Sequence, residues 1–242
     1  MINNKKYWDN RFKSGDWELN KGNEQTLFHY NILLEHIPDW LKNEIYDNNF
    51  NICDLGCGMG EGVDLFKKYF KKSEITGVDF SDYAIEKAKK VYPDNSFIRS
   101  DITNFNNHYD VIISSHTLEH FENPFELLSH MISLADKYFI LIIPFQEKDL
   151  HKEHFYSFDY NSFPINIQNH KLVHYKEIDR LFFDAGGYWG KEQLILIYAN
   201  TKNIDTSNFT LEQLNNSYFG EFKLQKQIYK NKVTEYEKKL DS

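Results

Sequence analysis

At 242 residues, 41% of them hydrophobic, the chain is long enough for one domain with additions and a substantial buried core. Its net charge of −8 argues against nucleic acid as the main partner, because a phosphate backbone needs a basic face. The two cysteines, Cys53 and Cys57, suggest neither a zinc set nor a disulfide framework, which suits a reducing, cytoplasmic setting. The opening residues carry no apolar signal core, and the longest apolar run, Tyr138 to Phe145, is too short to span a bilayer, so no membrane association is expected.

In chain order, Tyr7, Trp8, Arg11, Phe12 and Trp17 make an aromatic-rich opening. Leu27, Tyr30, Leu33, Leu34 and Ile37 then recur at helical spacing and predict a helix from Leu27 to Leu41. Ile52 to Leu55 reads as a buried strand that breaks into Gly56, Gly58 and Gly60. Val63, Leu65, Phe66 and Tyr69 follow as the apolar positions of a helix whose lysines (Lys67, Lys68, Lys71, Lys72) read as a solvated face. A strand, a glycine turn and a helix N-terminus form a cradle. Backbone without side chains admits a ligand closely, and the helix offers N–H groups to anything electron-rich. Asp54, at the strand's end, would face a cationic group. The dinucleotide fingerprint Gly-x-Gly-x-x-Gly fails in both registers, because Glu61 and Val63 stand where the third glycine belongs.

Glu74 to Asp79 predicts a second strand, followed by Phe80 and a helix opening at Asp82. Asp79 at a strand's carboxyl end is placed to accept two hydroxyls; capping the next helix is the alternative. Ser96 to Arg99 is a short third strand leading to Asp101 and Ile102. Tyr109 to Ser115 is apolar and β-branched, as a strand buried on both faces should be, and runs into His116-Thr117-Leu118-Glu119-His120. A helix from Pro124 to about Ala135 and a fifth strand from Lys137 to Pro144 follow. From Gln146 to Tyr175 periodicity fades and His and aromatic residues crowd, among them His151, His154, His170 and His174. A loop of that length is usually functional; a hairpin packing aromatics on the sheet is the alternative. Tyr175 to Ala185 predicts a helix stopped by Gly186-Gly187, and Tyr188 to Gly190 with Gln193 to Ala199 a final antiparallel pair. Leu211 to Leu240 reads as an amphipathic tail, either packed on its own domain or serving as a homodimer arm.

Strands alternating with helices from 51 to 143 imply a parallel doubly wound sheet. Within that frame, Asp54-x-Gly56-x-Gly58-x-Gly60, then Asp79, then Asp101-Ile102, then Ser115 to His120 occur in order. Over about 51–200 the chain resembles class I S-adenosylmethionine (SAM) dependent methyltransferases of small-molecule type. The resemblance implies an α/β, Rossmann-like fold: a mostly parallel seven-stranded sheet with helices on both faces and an antiparallel last strand. It implies a helical cap of the cofactor site over 1–50, a SAM-binding core over 51–200 with an acceptor-site insertion at about 145–175, and a helical tail over 201–242. Asp54, Gly56, Gly58, Gly60 and Ser115 would then surround SAM, or S-adenosylhomocysteine (SAH) as product. Asp79 and Phe80 would hold the ribose, and Asp101 and Ile102 the adenine. Arg11 would pair with the methionyl carboxylate or stand at the surface.

Methyl transfer is an in-line displacement in which positioning does most of the work. A hydroxyl acceptor must also lose a proton, and histidine is the usual base near neutral pH. His116, His120 and His154 are the candidates, with orienting the loop or binding substrate as their alternatives. His151-x-x-His154 with Glu147, Asp149 or Glu153 matches no known ligand spacing, so no metal is expected. The expected acceptor is a small molecule, with methylation at an oxygen of a sugar, nucleotide-linked or phosphoryl-type intermediate in bacterial glycan biosynthesis. N-methylation is the second reading, although Ser115-His116-Thr117-Leu118 replaces the Asn/Asp-Pro-Pro-Tyr motif of many N-methyltransferases. A SAM-binding subunit without catalysis is the third.

Overall fold

The aliphatic runs around the glycine turn become the centre of a single sheet in the computed structural model, which describes residues 2–178, 192–207 and 209. Strands β1 (Ile52–Leu55), β2 (Ile75–Asp79), β3 (Ser96–Arg99), β4 (Tyr109–Ser115) and β5 (Ala135–Pro144) pair in parallel in the order β3-β2-β1-β4-β5. β8 (Gln193–Asn200) runs antiparallel to β5, and β7 (His170–Ile178) antiparallel to β8. The two-residue β6 (Asn166–Ile167) pairs with β7 at the edge, so the described sheet has eight strands where seven are expected. The order reverses beside β1, between β2 and β4. In a doubly wound sheet that reversal opens a crevice at the carboxyl ends of the strands.

Four helices precede the sheet: α1 (Lys5–Lys13), α2 (Asp16–Leu19), α3 (Gly22–His36) and α4 (Asp39–Asn48). The single helix expected over 27–41 is broken, because Ile37 takes an extended conformation before Pro38, which disfavours α geometry in the residue ahead of it. α5 (Glu61–Tyr69), α6 (Asp82–Val91) and α7 (Pro124–Ser133) connect the parallel strands, and α7 stops before Ala135, which already belongs to β5. Among the described residues no helix is long and apolar enough to cross a membrane.

The helix expected from Tyr175 is not formed over 175–178, which pair with β8 from Leu196 to Gln193. A register shift between Leu172 and His174 interrupts the alternation that would have marked β7 as a strand. Within and just beyond the expected insertion, Asn166–Ile167 and His170–Ile178 are strands of the sheet. The remainder of the predicted helix, Gly186-Gly187, Tyr188 to Gly190 and the tail over 211–240 lie outside the described residues. The chain divides into units 1–205 and 206–242, and the sheet and helices above all belong to the first.

The core behind the turn is tight. Gly60 N-caps α5 at φ +92°, and a Cβ there would stand 2.8 Å from the Phe97 ring and 3.1 Å from Ala88. Gly60→Ala is expected to destabilise the chain by roughly 2–4 kcal/mol, from the left-handed backbone and the overpacked contact together. Urea unfolding measures it, and an unchanged midpoint would show that the turn yields without cost.

Candidate active site

A cavity of about 730 Å³ lies at the carboxyl ends of β1, β2 and β4, lined also by α1 to α3, by Glu147 and by residues 151–154. Gly56 and Gly58 form its floor. Gly58, at φ +52°, donates its N–H to Asp79 Oδ2 at 3.1 Å, while Ser81 N–H donates to Oδ1 at 2.8 Å. Burial pushes the Asp79 carboxyl up to about 6, against the opposing pull of those amides. Capping of α6 falls to Ser81, whose hydroxyl accepts from Ala84 N–H at 3.1 Å, so Asp79 is left on the cavity wall. Phe80, Ile102 and Ser115 line the same space. Asp101 does too, but its Oδ1 already takes the Thr103 N–H and hydroxyl, at 2.9 and 2.8 Å.

Two members of the glycine motif sit behind the wall. Gly60 packs against Phe97, and Asp54 is buried with Oδ1 accepting from the Tyr30 hydroxyl at 2.6 Å. Among the described residues the group facing Asp54 is the Tyr30 phenol. Its Oδ2 has no hydrogen-bond partner among them. Arg11 reaches the cavity but is held by Glu153 and, at 3.5 Å, by Asp16, with the rings of Trp8 and Trp17 each 5.3 Å from its guanidinium.

Burial pushes the Asp54 carboxyl up from 3.8 to about 7. The folded chain then holds this proton more tightly than the unfolded chain between about pH 4 and pH 7, so the carboxyl weakens the fold as pH rises through that window. Asp54→Asn cannot ionise. Its melting temperature relative to wild type is expected to rise between about pH 4 and pH 7, and a constant difference would show that Asp54 is not titrating.

The three predicted histidines converge on the far side of the cavity. His116 follows β4 at φ +50°, a strained setting for a non-glycine residue, and stacks on the buried His29 with centroids 3.6 Å apart. Its Nδ1 faces Glu119 Oε1 at 3.3 Å, and its Nε2 is buried with no partner among the described residues. Burial pushes the His29 imidazole well down, reinforced by the charge of His116, so His29 stays neutral. Burial alone would raise the Glu119 carboxyl; contact with His116 and the charges of His120, His116 and His154 outweigh it and bring the group to about 2. His120 Nδ1 lies 3.0 Å from the Glu153 carbonyl, and His154 Nδ1 lies 2.6 Å from Glu147 Oε2. Backbone groups fasten this arrangement: Phe155 N–H donates to Glu119 O at 2.8 Å, and the Asn3 side-chain Nδ2 donates to Glu153 O at 2.6 Å.

Sequence reasoning did not single out Glu119, His29, Tyr30 or Tyr7, whose hydroxyl meets the Glu153 carboxylate. Glu119 stood inside a quoted motif; the others come from α1 and α3 and carry no motif. His170 and His174, expected over the acceptor site, instead stand in β7, where His170 Nε2 bonds the Ala135 carbonyl at 2.9 Å. Neither lines the cavity.

Residues 33–186 match the family model described as a methyltransferase domain. A trans-aconitate 2-methyltransferase of Escherichia coli O7:K1 is 30% identical over 124 residues, which are 50% of this chain and 46% of that protein. The chain thus spans about half the length of the curated relatives it matches. Among solved structures, magnesium protoporphyrin IX methyltransferase from Synechocystis PCC 6803 with bound SAM aligns at a TM-score of 0.53 and 18% identity, over 71% of this chain and 79% of its own. The [4+2]-cyclase SpnF aligns at 0.52 and 11%, over 66% and 78%. These structural likenesses show the Rossmann-like fold.

Proposed function

This chain belongs to the methyltransferase-domain family, and from that premise we propose that it moves the methyl group of SAM to an oxygen of a small-molecule acceptor. The observation carrying the reading is one cavity that joins the Gly58–Asp79 floor to the His116–Glu119 pair. The residues on the cofactor side fit a nucleoside with a cationic tail. Asp79 is a buried acceptor with a lone pair to spare on each oxygen, Phe80 and Ile102 supply apolar surface, and the glycine floor leaves room for close approach. The orphaned Oδ2 of Asp54 behind that floor suits a positively charged ligand.

SAM, when bound, supplies an electrophilic methyl group. The chain's own residues orient the partners and accept the proton. His116 is the base of this reading: a proton on Nδ1, facing Glu119, leaves the lone pair on Nε2, which is buried and must be uncovered to meet the acceptor hydroxyl. Its neighbour His29, being neutral, does not oppose the charge that His116 gains. His120 and His154 stand beside it on the acceptor's side of the cavity.

The cavity wall carries Asp16, Asp79, Asp101, Glu119, Glu147 and Glu153 against Lys5, Arg11 and Lys152. That excess of carboxylates favours a neutral hydroxyl over a free carboxylate such as aconitate. A sugar or nucleotide-linked hydroxyl of a glycan intermediate heads the acceptors to be tried. Calorimetry of SAM and SAH on the intact chain is the test. Absence of binding overturns methyl transfer, and binding followed by transfer of labelled methyl to a hydroxyl acceptor supports it.

A further inference from the structure

We propose that Glu119, His120 and His154 hold a divalent transition-metal cation, of zinc or manganese type, at the acceptor end of the cavity. One ligand atom from each side chain lies within 4.8 Å of the other two. Tetrahedral ligands at 2.0–2.2 Å from a metal stand about 3.4 Å apart, so small rotations of the side chains close the site. The His120 and His154 rings already lie edge to face, with centroids 5.2 Å apart.

Both imidazoles are prepared for coordination from behind. The Glu153 carbonyl only accepts, so the hydrogen of His120 sits on Nδ1 and its lone pair on Nε2. Glu147 Oε2 holds the Nδ1 of His154 in the same way. A metal-bound histidine usually shows this arrangement, with the outer nitrogen donating to a carbonyl or a carboxylate that fixes the tautomer and ring plane.

Glu119 supplies the independent observation. It is 1% exposed, and neither Oε1 nor Oε2 has a hydrogen-bond partner among the described residues. His116 Nδ1 stands 3.3 Å from Oε1 without hydrogen-bond alignment. A carboxylate taken out of water with only neighbouring imidazoles to hold its charge is well placed to take a bound cation. Two imidazoles with one carboxylate select zinc, manganese or iron over magnesium and calcium, which prefer oxygen ligands throughout.

Three protein ligands leave coordination positions open to the cavity. An acceptor oxygen bound there would be held near His116 and would lose its proton more readily. The cation would also offset the acidic wall, so that the acceptor class widens to oxyanions. This role rests on the methyl-transfer reading; the metal site itself does not.

The test titrates the full chain, dialysed against chelator, with zinc chloride and separately with manganese chloride in a calorimeter. One site is expected in wild type and in His108→Gln, a surface histidine paired with Asp136. Binding is expected to be lost in Glu119→Gln and in His154→Gln, and weakened about 10–100-fold in Glu147→Gln. Equal binding by wild type and the ligand variants overturns the site, as does no binding by wild type. SAH titrated into the same samples separates the two ideas: intact SAH binding without metal binding removes only the metal, while no SAH binding in wild type removes the methyl-transfer reading.

Discussion

Replacing His116 by asparagine lowers kcat by about 10²–10³-fold, the usual contribution of a positioned base, and leaves SAH affinity unchanged. Asparagine is the informative choice because it tolerates the φ of +50° that the backbone holds at this position. The variant therefore removes the ring while keeping the loop after β4. A base acts only while unprotonated, so removing the ring changes the shape of the pH–rate profile, whereas a merely structural role lowers the rate without changing that shape. Full turnover in the variant would mean that the acceptor arrives ionised or that another group takes its proton.

Asp79→Ala weakens SAH binding by about 10–100-fold or more, since hydrogen bonds to a charged group contribute about 1.5–3 kcal/mol each and 1.4 kcal/mol is tenfold. Calorimetry reads this directly. Asp79→Asn is the control, because it keeps an acceptor for one of the two amides, at Gly58 or Ser81, while removing the charge. The same carboxyl sets a pH dependence. Burial holds it at about 6, and a ligand that donates hydroxyls to it favours the ionised form. SAH affinity is therefore expected to fall as pH drops through about 6 in wild type and to stay level in Asp79→Asn. Undiminished binding by Asp79→Ala would take the ribose assignment away from this residue.

The parallel half of the sheet was legible because its strands are buried on both faces and read as continuous apolar runs, as in β4 and β5. The glycine turn was legible for a related reason: Gly58 and Gly60 hold left-handed backbone that few other residues adopt. Local chemistry of this kind is written in neighbouring residues. The antiparallel half was not. β7 carries a register shift, its buried residues do not alternate strictly, and a helical reading of Tyr175 onward fitted the spacing equally well.

By itself, then, the order of residues determined the strand–turn–helix units, the position of Asp79 at a strand end, and the run from Ser115 to His120. Each depends on backbone preference and burial pattern within a few positions of the chain. Only the tertiary structure decided which distant groups meet: Tyr30 with Asp54, His29 with His116, Glu153 with Arg11, and Glu119 and His120 with His154. Those pairings span up to 142 positions and depend on where α1, α3 and the segment after β5 come to rest over the strand ends. Contacts between segments so far apart leave no periodicity in the sequence, because no local repeat encodes them.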